Sequence, residues 1–511
     1  MAERAQPSRP RAAGSPRAAG SPRAAGSSRA AGSPRAGSPS VGRRRADPAR
    51  RAAYDVLRAV ADRDAYANLL LPALLAERGL TGRDAAFATE LTYGTLRGRG
   101  TYDAILAACS DRDQLDPPVR DVLRLGAHQL LATRVGQHAA VATSVDLAKD
   151  VCGPRPSGFV NAVLRRVATR DLDAWTEIVA PSRDIDPTGY LAVRHSHPRW
   201  IVEAFRDALG EAAAELEDAL AAGNLRPDVV LAVTPGRADG KQGQEPEDPE
   251  HHALPVPPDA TPTRWSPYGL RLAGGDPARY VASGQAVVQD EASQLAALAL
   301  TRVSLTPVEH PVTDETGPDR RWLDLCAGPG GKALLLAGLA AGRGARLVAS
   351  DVRPNRAGRV RSALRRAGLT PAVVAADGRH VPWRPGTFDR VLADVPCSNL
   401  GSLRRRPEAR WRKTPEAVPA LAAVQRELLD AAIESARPGG VVAYVTCSPH
   451  LAETRDVVTA VAERRGDVTI LDAPAVLAEV PGLHASDPRF AQFWPHRHGT
   501  DAIFLALLRR D

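Results

Sequence analysis

The 511-residue chain predicts a multidomain protein: an all-α N-terminal domain, a small α+β bridging region and a C-terminal α/β domain on a parallel, doubly wound sheet. Two observations carry this. From Asp47 to Thr169 large apolar residues recur at helical spacing with few strand signals, and from Arg321 onward short apolar strands alternate with helices. Length allows two to four domains at about 100–200 residues each.

Residues 1–46 repeat the unit RAAGSP and end in Arg43-Arg44-Arg45, with ten arginines against one acid, Glu3. Without aromatics or periodic large apolar residues, this tail cannot offset its ordering entropy and is expected to be disordered. It carries +9 of the chain's net +8, so the remainder sums to −1. A basic tail on a near-neutral body suits either a polyanion partner or a solubilising leader.

In residues 47–172, Ala53, Val56, Leu57 and Val60 fall at i, i+3, i+4, i+7, the stripe of an amphipathic helix. Similar stripes cover Asp84–Gly94, Val119–Thr133 and Ala139–Val151. The bridging region, 173–290, predicts helices over Trp200–Leu209 and Glu211–Ala222 and a strand over Asp228–Thr234. Its stretch 236–263 is rich in Gly, Pro and acids and reads as a flexible insertion, as does 304–321. The last domain, 291–511, predicts strands at Arg321–Cys326, Arg346–Asp351, Ala372–Asp377, Phe388–Asp394, Val441–Thr446 and Ala502–Leu508. Helices are expected at Leu334–Ala341, Arg356–Ala367 and Val424–Ala436. Ligands in such sheets sit at the carboxyl ends of the strands.

The chemistry-bearing residues fall at those ends. Cys326-Ala327-Gly328-Pro329-Gly330-Gly331-Lys332 follows the first strand and opens a helix, so backbone amides can approach a ligand closely. Taken alone, that turn also fits a nicotinamide or nucleotide loop, or a plain tight turn. Asp351 and Asp377 close the next two strands, where acids suit ribose hydroxyls and an adenine amino group, or cap the following helices. Together with the loop they favour an adenosine-containing cofactor. The fourth strand ends in Asp394-Val-Pro-Cys397 and the fifth in Thr446-Cys447, which aims two thiols into one cleft. A thiolate added at carbon-6 of cytosine would make its carbon-5 nucleophilic. Cys109 and Cys152 read as small core residues. With five scattered cysteines and no CxxC pair, neither a disulfide framework nor a metal site is expected. Arg404, Arg405, Arg406, Arg410, Arg412 and Lys413 form a basic cluster suited to RNA phosphates, or a solvated loop. No apolar run is long enough to span a bilayer and no signal-peptide block is visible, so a cytoplasmic protein is expected.

DLCAGPGGK, Asp351, Asp377, DVPCS and VTCS together resemble the RNA 5-methylcytosine methyltransferases of the Sun/RsmB type. The resemblance extends through GSLRRRPEARWR and FWPHRHGTDAIFLALLRR. At the front, DAAFATELTYGTLRGRGTYD, HAAVATSVDLAKD and GFVNAVLRR look like a NusB-type RNA-binding domain. The resemblance implies a C-terminal Rossmann-like methyltransferase domain using S-adenosyl-L-methionine on a single-stranded or flipped cytosine of 16S ribosomal RNA. A monomer is expected, without DNA or membrane partners. Cys326 through Lys332 would form the cofactor loop, Asp351 would bind the ribose and Asp377 the adenine side. Asp394 would meet the methionine or target base, Cys447 would attack, and Cys397 would help expel the enzyme. The chain departs from the family pattern at Val395, Asn399 and Thr454, none of them a catalytic position. The rival readings are a Rossmann-like methyltransferase acting on a small molecule or exocyclic nitrogen, and a non-enzymatic RNA-binding scaffold.

Overall fold

The computed structural model describes residues 46–112, 114–235, 257–274, 276–306, 319–370, 372–483 and 485–511. The expected disordered tail up to residue 45, and segments 236–256 and 307–318 of the two expected insertions, lie outside these residues.

The front of the chain is helical: Pro48–Arg63, Ala67–Glu77, Gly82–Arg97, Arg99–Cys109, Pro117–Ala132, Gln137–Val151 and Ser157–Val167. The first begins where Asp47 accepts the Arg50 amide at 2.9 Å and Pro48 takes the first helical position, which needs no N–H donor. Its stripe of Ala53, Val56, Leu57 and Val60 is buried, as expected. Pro117–Ala132 runs through the middle with Val122, Leu123 and Leu125 fully enclosed. Cys109 and Cys152 pack with this core as small apolar groups.

The bridging region contains Arg199–Leu209 and a four-stranded antiparallel sheet: β1 (Val229–Val233), β2 (Ala260–Pro262), β3 (Gly269–Leu272) and β4 (Ala286–Val288), in the order β2-β3-β1-β4. This corrects the expected flexible insertion at its far end. Ala260–Pro262 pairs with Leu272–Leu270, because Ala260 turns inward against Leu231 and Leu270 while Thr261 and Pro262 stay exposed. Strands of three or four residues carry too little periodicity to announce themselves.

The C-terminal sheet holds β5 (Arg321–Asp324), β6 (Arg346–Asp351), β7 (Ala372–Ala375), β8 (Phe388–Asp394), β9 (Ala436–Thr446), β10 (Val468–Leu471), β11 (Ala491–Gln492) and β12 (Phe504–Arg510). Its order is β10-β12-β9-β8-β5-β6-β7, with β11 also on β12. β5 through β9 are parallel, and order reverses between β5 and β8, the switch point where ligands bind. The parallel expectation fails at the last strand. β12 enters antiparallel between β9 and β10, filling the place that the Arg455–Arg465 crossover skips. Helices Glu291–Arg302, Gly331–Gly342 and Val418–Ser435 cover the sheet, so β8 and β9 are buried almost throughout.

Candidate active site

Four strand ends converge here. After β5, the chain turns through Cys326–Gly330 into the helix beginning at Gly331. Gly328 donates its amide to Asp351 Oδ2 at 3.0 Å, and a Cβ there would lie 2.3 Å from that oxygen. Only glycine lets the loop lie so close to the end of β6. The other oxygen of Asp351 accepts the Arg353 amide at 2.8 Å. Cys326 packs into the core, and burial, followed by the surrounding carboxylates, pushes its thiol far above the usual range. Asp377, just beyond β7, pairs with Arg379 at 2.7 Å, and that hydrogen bond holds its pKa down at about 2.

Lys332 Nζ contacts Asp394 Oδ2 at 2.9 Å, joining the loop helix to the end of β8. Burial opposes the charged ammonium, but Asp394 more than compensates and raises the lysine above its ordinary value. Both residues line a pocket of about 800 Å³ with Ala327, Gly328, Asp290 and Asp324. Asp324 carries a signal that the sequence reading missed. It is 1% exposed, and neither carboxyl oxygen makes a hydrogen bond of good geometry among the described residues. Burial and then the negative Asp394 push its pKa up to about 8, against the pull of Lys332. A buried acid with so little compensation, facing a cleft, suits a cationic group. The residues that line the pocket therefore suit a ligand carrying a cationic group, while Asp351 and Asp377 stand outside its lining.

The two thiols meet. Cys397 Sγ lies 3.3 Å from Cys447 Sγ, and Cys447 also donates to Asn399 Oδ1 at 3.1 Å. The Cys447 hydrogen bond first, and burial second, hold the Cys397 thiol well above the usual range. Their two loops are fastened from beneath by Glu453, which is fully buried. Its carboxylate accepts the Ser398 amide at 2.7 Å, the hydroxyls of Ser398 and Ser448, and Gln425 Nε2 at 3.1 Å. Gly401 fits between them, donating to Cys447 O at 2.9 Å where a Cβ would lie 1.8 Å from Ala502 O.

Of the six cationic residues after Cys397, Arg404, Arg405, Arg410 and Arg412 are engaged inside the protein, while Arg406 stays exposed. Arg404 and Arg405 are enclosed between Asp290 and Asp501, at 2.5–2.9 Å. Arg410 is wholly buried, donating to the carbonyls of Arg97, Ser196 and Gly223 and to Asn224. Arg412 donates to the carbonyls of Val60, Asp64 and Ala65. Trp411 packs against Gly100, beneath the Arg99 guanidinium. Donors aimed at internal carbonyls are satisfied, and charge density along the sequence does not reveal that.

Fold and site together define a Rossmann-like methyltransferase domain carrying a NusB-like helical domain. The family model for 16S rRNA methyltransferase RsmB/F matches residues 311–509, and that for the NusB family matches 47–169. Ribosomal RNA small subunit methyltransferase B of Pseudomonas syringae pv. tomato is 33% identical, covering 90% of this chain and 96% of that protein. A protein of Mycobacterium tuberculosis whose name goes no further than methyltransferase is 52% identical, over 92% and 98% respectively. The crystal structure of PH0851 shares the fold, with a TM-score of 0.68 at 21% identity, covering 91% of this chain and 98% of that one. The chain belongs to the RsmB/F family of 16S rRNA methyltransferases.

Proposed function

We propose that the chain methylates carbon-5 of a cytosine in 16S ribosomal RNA, using S-adenosyl-L-methionine and a covalent adduct between Cys447 and carbon-6. The observation that carries this reading is the pair of thiols 3.3 Å apart at the ends of adjacent strands, beside the Lys332–Asp394 pair. Family membership supports the RNA substrate and the cofactor.

The cofactor would lie in the pocket, with the Cys326–Lys332 loop and Asp351 about its adenosine, Asp377 towards the adenine, and Asp324 and Asp394 towards its methionine end. When bound, it supplies an electrophilic methyl group. Cys447 as thiolate adds to carbon-6, and the electron pair of the C5–C6 double bond becomes available at carbon-5 for the new carbon–carbon bond. Asp394, held by Lys332, would hydrogen-bond the cytosine ring. The proton on carbon-5 must then leave so that its electrons restore the double bond and expel Cys447. Cys397, once its own proton has passed to water, would as thiolate take that proton while Cys447 leaves as thiolate. The raised pKa of Cys397 comes chiefly from the hydrogen bond with Cys447, and bonding of Cys447 to carbon-6 removes that cause.

The test uses RNA carrying 5-fluorocytosine, whose fluorine cannot leave as a proton does. Wild-type enzyme with cofactor should give a denaturation-resistant protein–RNA band, and Cys447→Ala none. With ordinary RNA, Cys397→Ala should accumulate the band. A band from Cys447→Ala but not from Cys397→Ala would exchange the roles, and no band from any variant would remove the adduct.

A further inference from the structure

The helix Pro354–Arg366 follows β6 and forms one wall of the cofactor pocket through Asn355, Gly358, Arg359 and Ser362. Its buried side is narrow, only Ala357, Val360 and Leu364. Around the rest stand Arg353, Arg356, Arg359, Arg361, Arg365 and Arg366, all exposed, with no acidic residue in the segment.

This arrangement opposes the helix's own electrostatics. Arg353 caps the N-terminus and Arg356 stands in the first turn, where the positive end of the helix dipole favours acids. Arg361 and Arg365 are i,i+4 neighbours, and Arg353, Arg356 and Arg359 follow at i,i+3, spacings at which like charges repel. Neighbouring carboxylates do little to offset it. Arg356 approaches Asp351 only to 4.0 Å, and Arg353, Arg359, Arg361 and Arg365 form no ion pair among the described residues. Arg361 donates to a backbone carbonyl, Val373 O, on the edge strand β7. Arg353, Arg359 and Arg365 contrast with Arg404, Arg405, Arg410 and Arg412, which are engaged internally. At 100° per residue, Arg361 and Arg365 fall to one side of the pocket-lining stripe and Arg356 to the other.

We propose that this helix is the docking surface for the phosphate backbone of the substrate RNA flanking the target cytosine, contacting it by charge and without reading its sequence. The inference rests on the RNA substrate of the proposed function. Phosphates would supply the counter-charge that the protein does not.

The experiment is RNA binding by fluorescence anisotropy with a 16S rRNA fragment, from 50 to 200 mM salt, using the full chain and two triple variants. Arg353→Gln/Arg361→Gln/Arg365→Gln removes three charges, and the corresponding Lys triple keeps them. Three lost phosphate contacts should lower the slope of log Kd against log salt by about 2, since each contributes about 0.7 on a single strand. Over that fourfold salt range, wild type and the Lys triple should therefore lose about 20-fold more affinity than the Gln triple. An unchanged slope in the Gln triple, with wild type strongly salt-dependent, would overturn the surface and leave the RNA substrate standing. Salt-independent or absent binding by wild type would instead overturn the RNA reading itself. A Lys triple that behaves like the Gln triple would show that packing and not charge is at work, and would also overturn the proposal.

Discussion

Asp324 and Glu453 are both enclosed carboxylates of the C-terminal domain, but they differ in what surrounds them. Asp324 has no good partner and a pKa of about 8, whereas a free aspartate titrates near ~3.9. Between those values the unfolded chain has released this proton and the folded one retains it, so this group's contribution to stability declines as pH rises through the window. A cationic group seated against Asp324 reverses the preference and drives the proton off. S-adenosyl-L-methionine affinity should therefore rise with pH up to about 8, by at most about tenfold per unit. Calorimetry at pH 7 in two buffers of different ionisation enthalpy should show proton release, and Asp324→Asn should abolish it. Affinity that is flat from pH 6 to 8 would separate Asp324 from the cofactor. Glu453, by contrast, is saturated with donors. Glu453→Gln keeps an acceptor for the Ser398 amide, and its new N–H groups can meet hydroxyls that rotate to accept, so it should retain most activity. Glu453→Ala orphans that amide, leaves Gln425 Nε2 with only Pro396 O, and should cost about 2–4 kcal/mol in denaturant unfolding. It should also lower kcat, because both thiol loops lose their anchor.

At the scale of elements, the segment after Cys397 is a strap. Asn399 and Gly401 touch Cys447, and ten residues later Glu408, Arg410, Trp411 and Arg412 lie among the front helices and the bridging region. Arg410→Ala would leave the carbonyls of Arg97, Ser196 and Gly223 without their buried donor. About 2–4 kcal/mol of stability should be lost. Hydrogen exchange should show the excess opening in Gly82–Arg97 and in the loop around Gly223, and uniform exchange changes would deny the strap its local role. The strap also shows where reading from sequence stops. β6 and β8 match their expected limits, because long apolar runs with Gly/Pro punctuation state their own structure, whereas the helix expected over Glu211–Ala222 splits into a 3-10 stretch, Gly210–Glu215, and a short helix, Leu216–Ala222. The acids at the ends of β6 and β8 and the paired cysteines were legible for the same reason. β2, β3, β4 and β10 were not, since each takes its pairing from partners distant in sequence. Nor was the fate of the Arg404–Arg412 arginines, because which carbonyl a guanidinium meets is decided by tertiary contact. Asp324 gives no signal in the sequence, because its burial is decided by the helices that cover the sheet.

For the whole molecule, the distribution of charge decides how RNA is gathered. Within the folded body, Arg404 and Arg405 are paired with acids and Arg410 and Arg412 are held by internal carbonyls, while the arginines of Pro354–Arg366 are exposed. Residues 1–46 add ten arginines against Glu3, on a remainder that sums to −1. The tail is therefore the largest block of uncompensated charge in the sequence. Each of its arginines that rests on a phosphate should contribute about 0.7 to the salt slope of binding to single-stranded RNA. Deleting residues 1–46 should flatten that slope and weaken binding at low salt, leaving the methylated position unchanged if, as proposed, the base is chosen at the Cys397–Cys447 cleft. Sites that share no partners contribute independently. The slope lost on deletion and the slope lost in the Arg353/Arg361/Arg365 Gln triple should therefore add in the combined variant. Anisotropy titrations of the four proteins between 50 and 200 mM salt, with bisulfite sequencing of the product RNA, measure both quantities. If deletion leaves the slope intact, the tail is only a solubilising leader. If deletion moves the methylated position, the tail takes part in choosing the base, and the division between gathering RNA by charge and selecting the cytosine at the cleft fails.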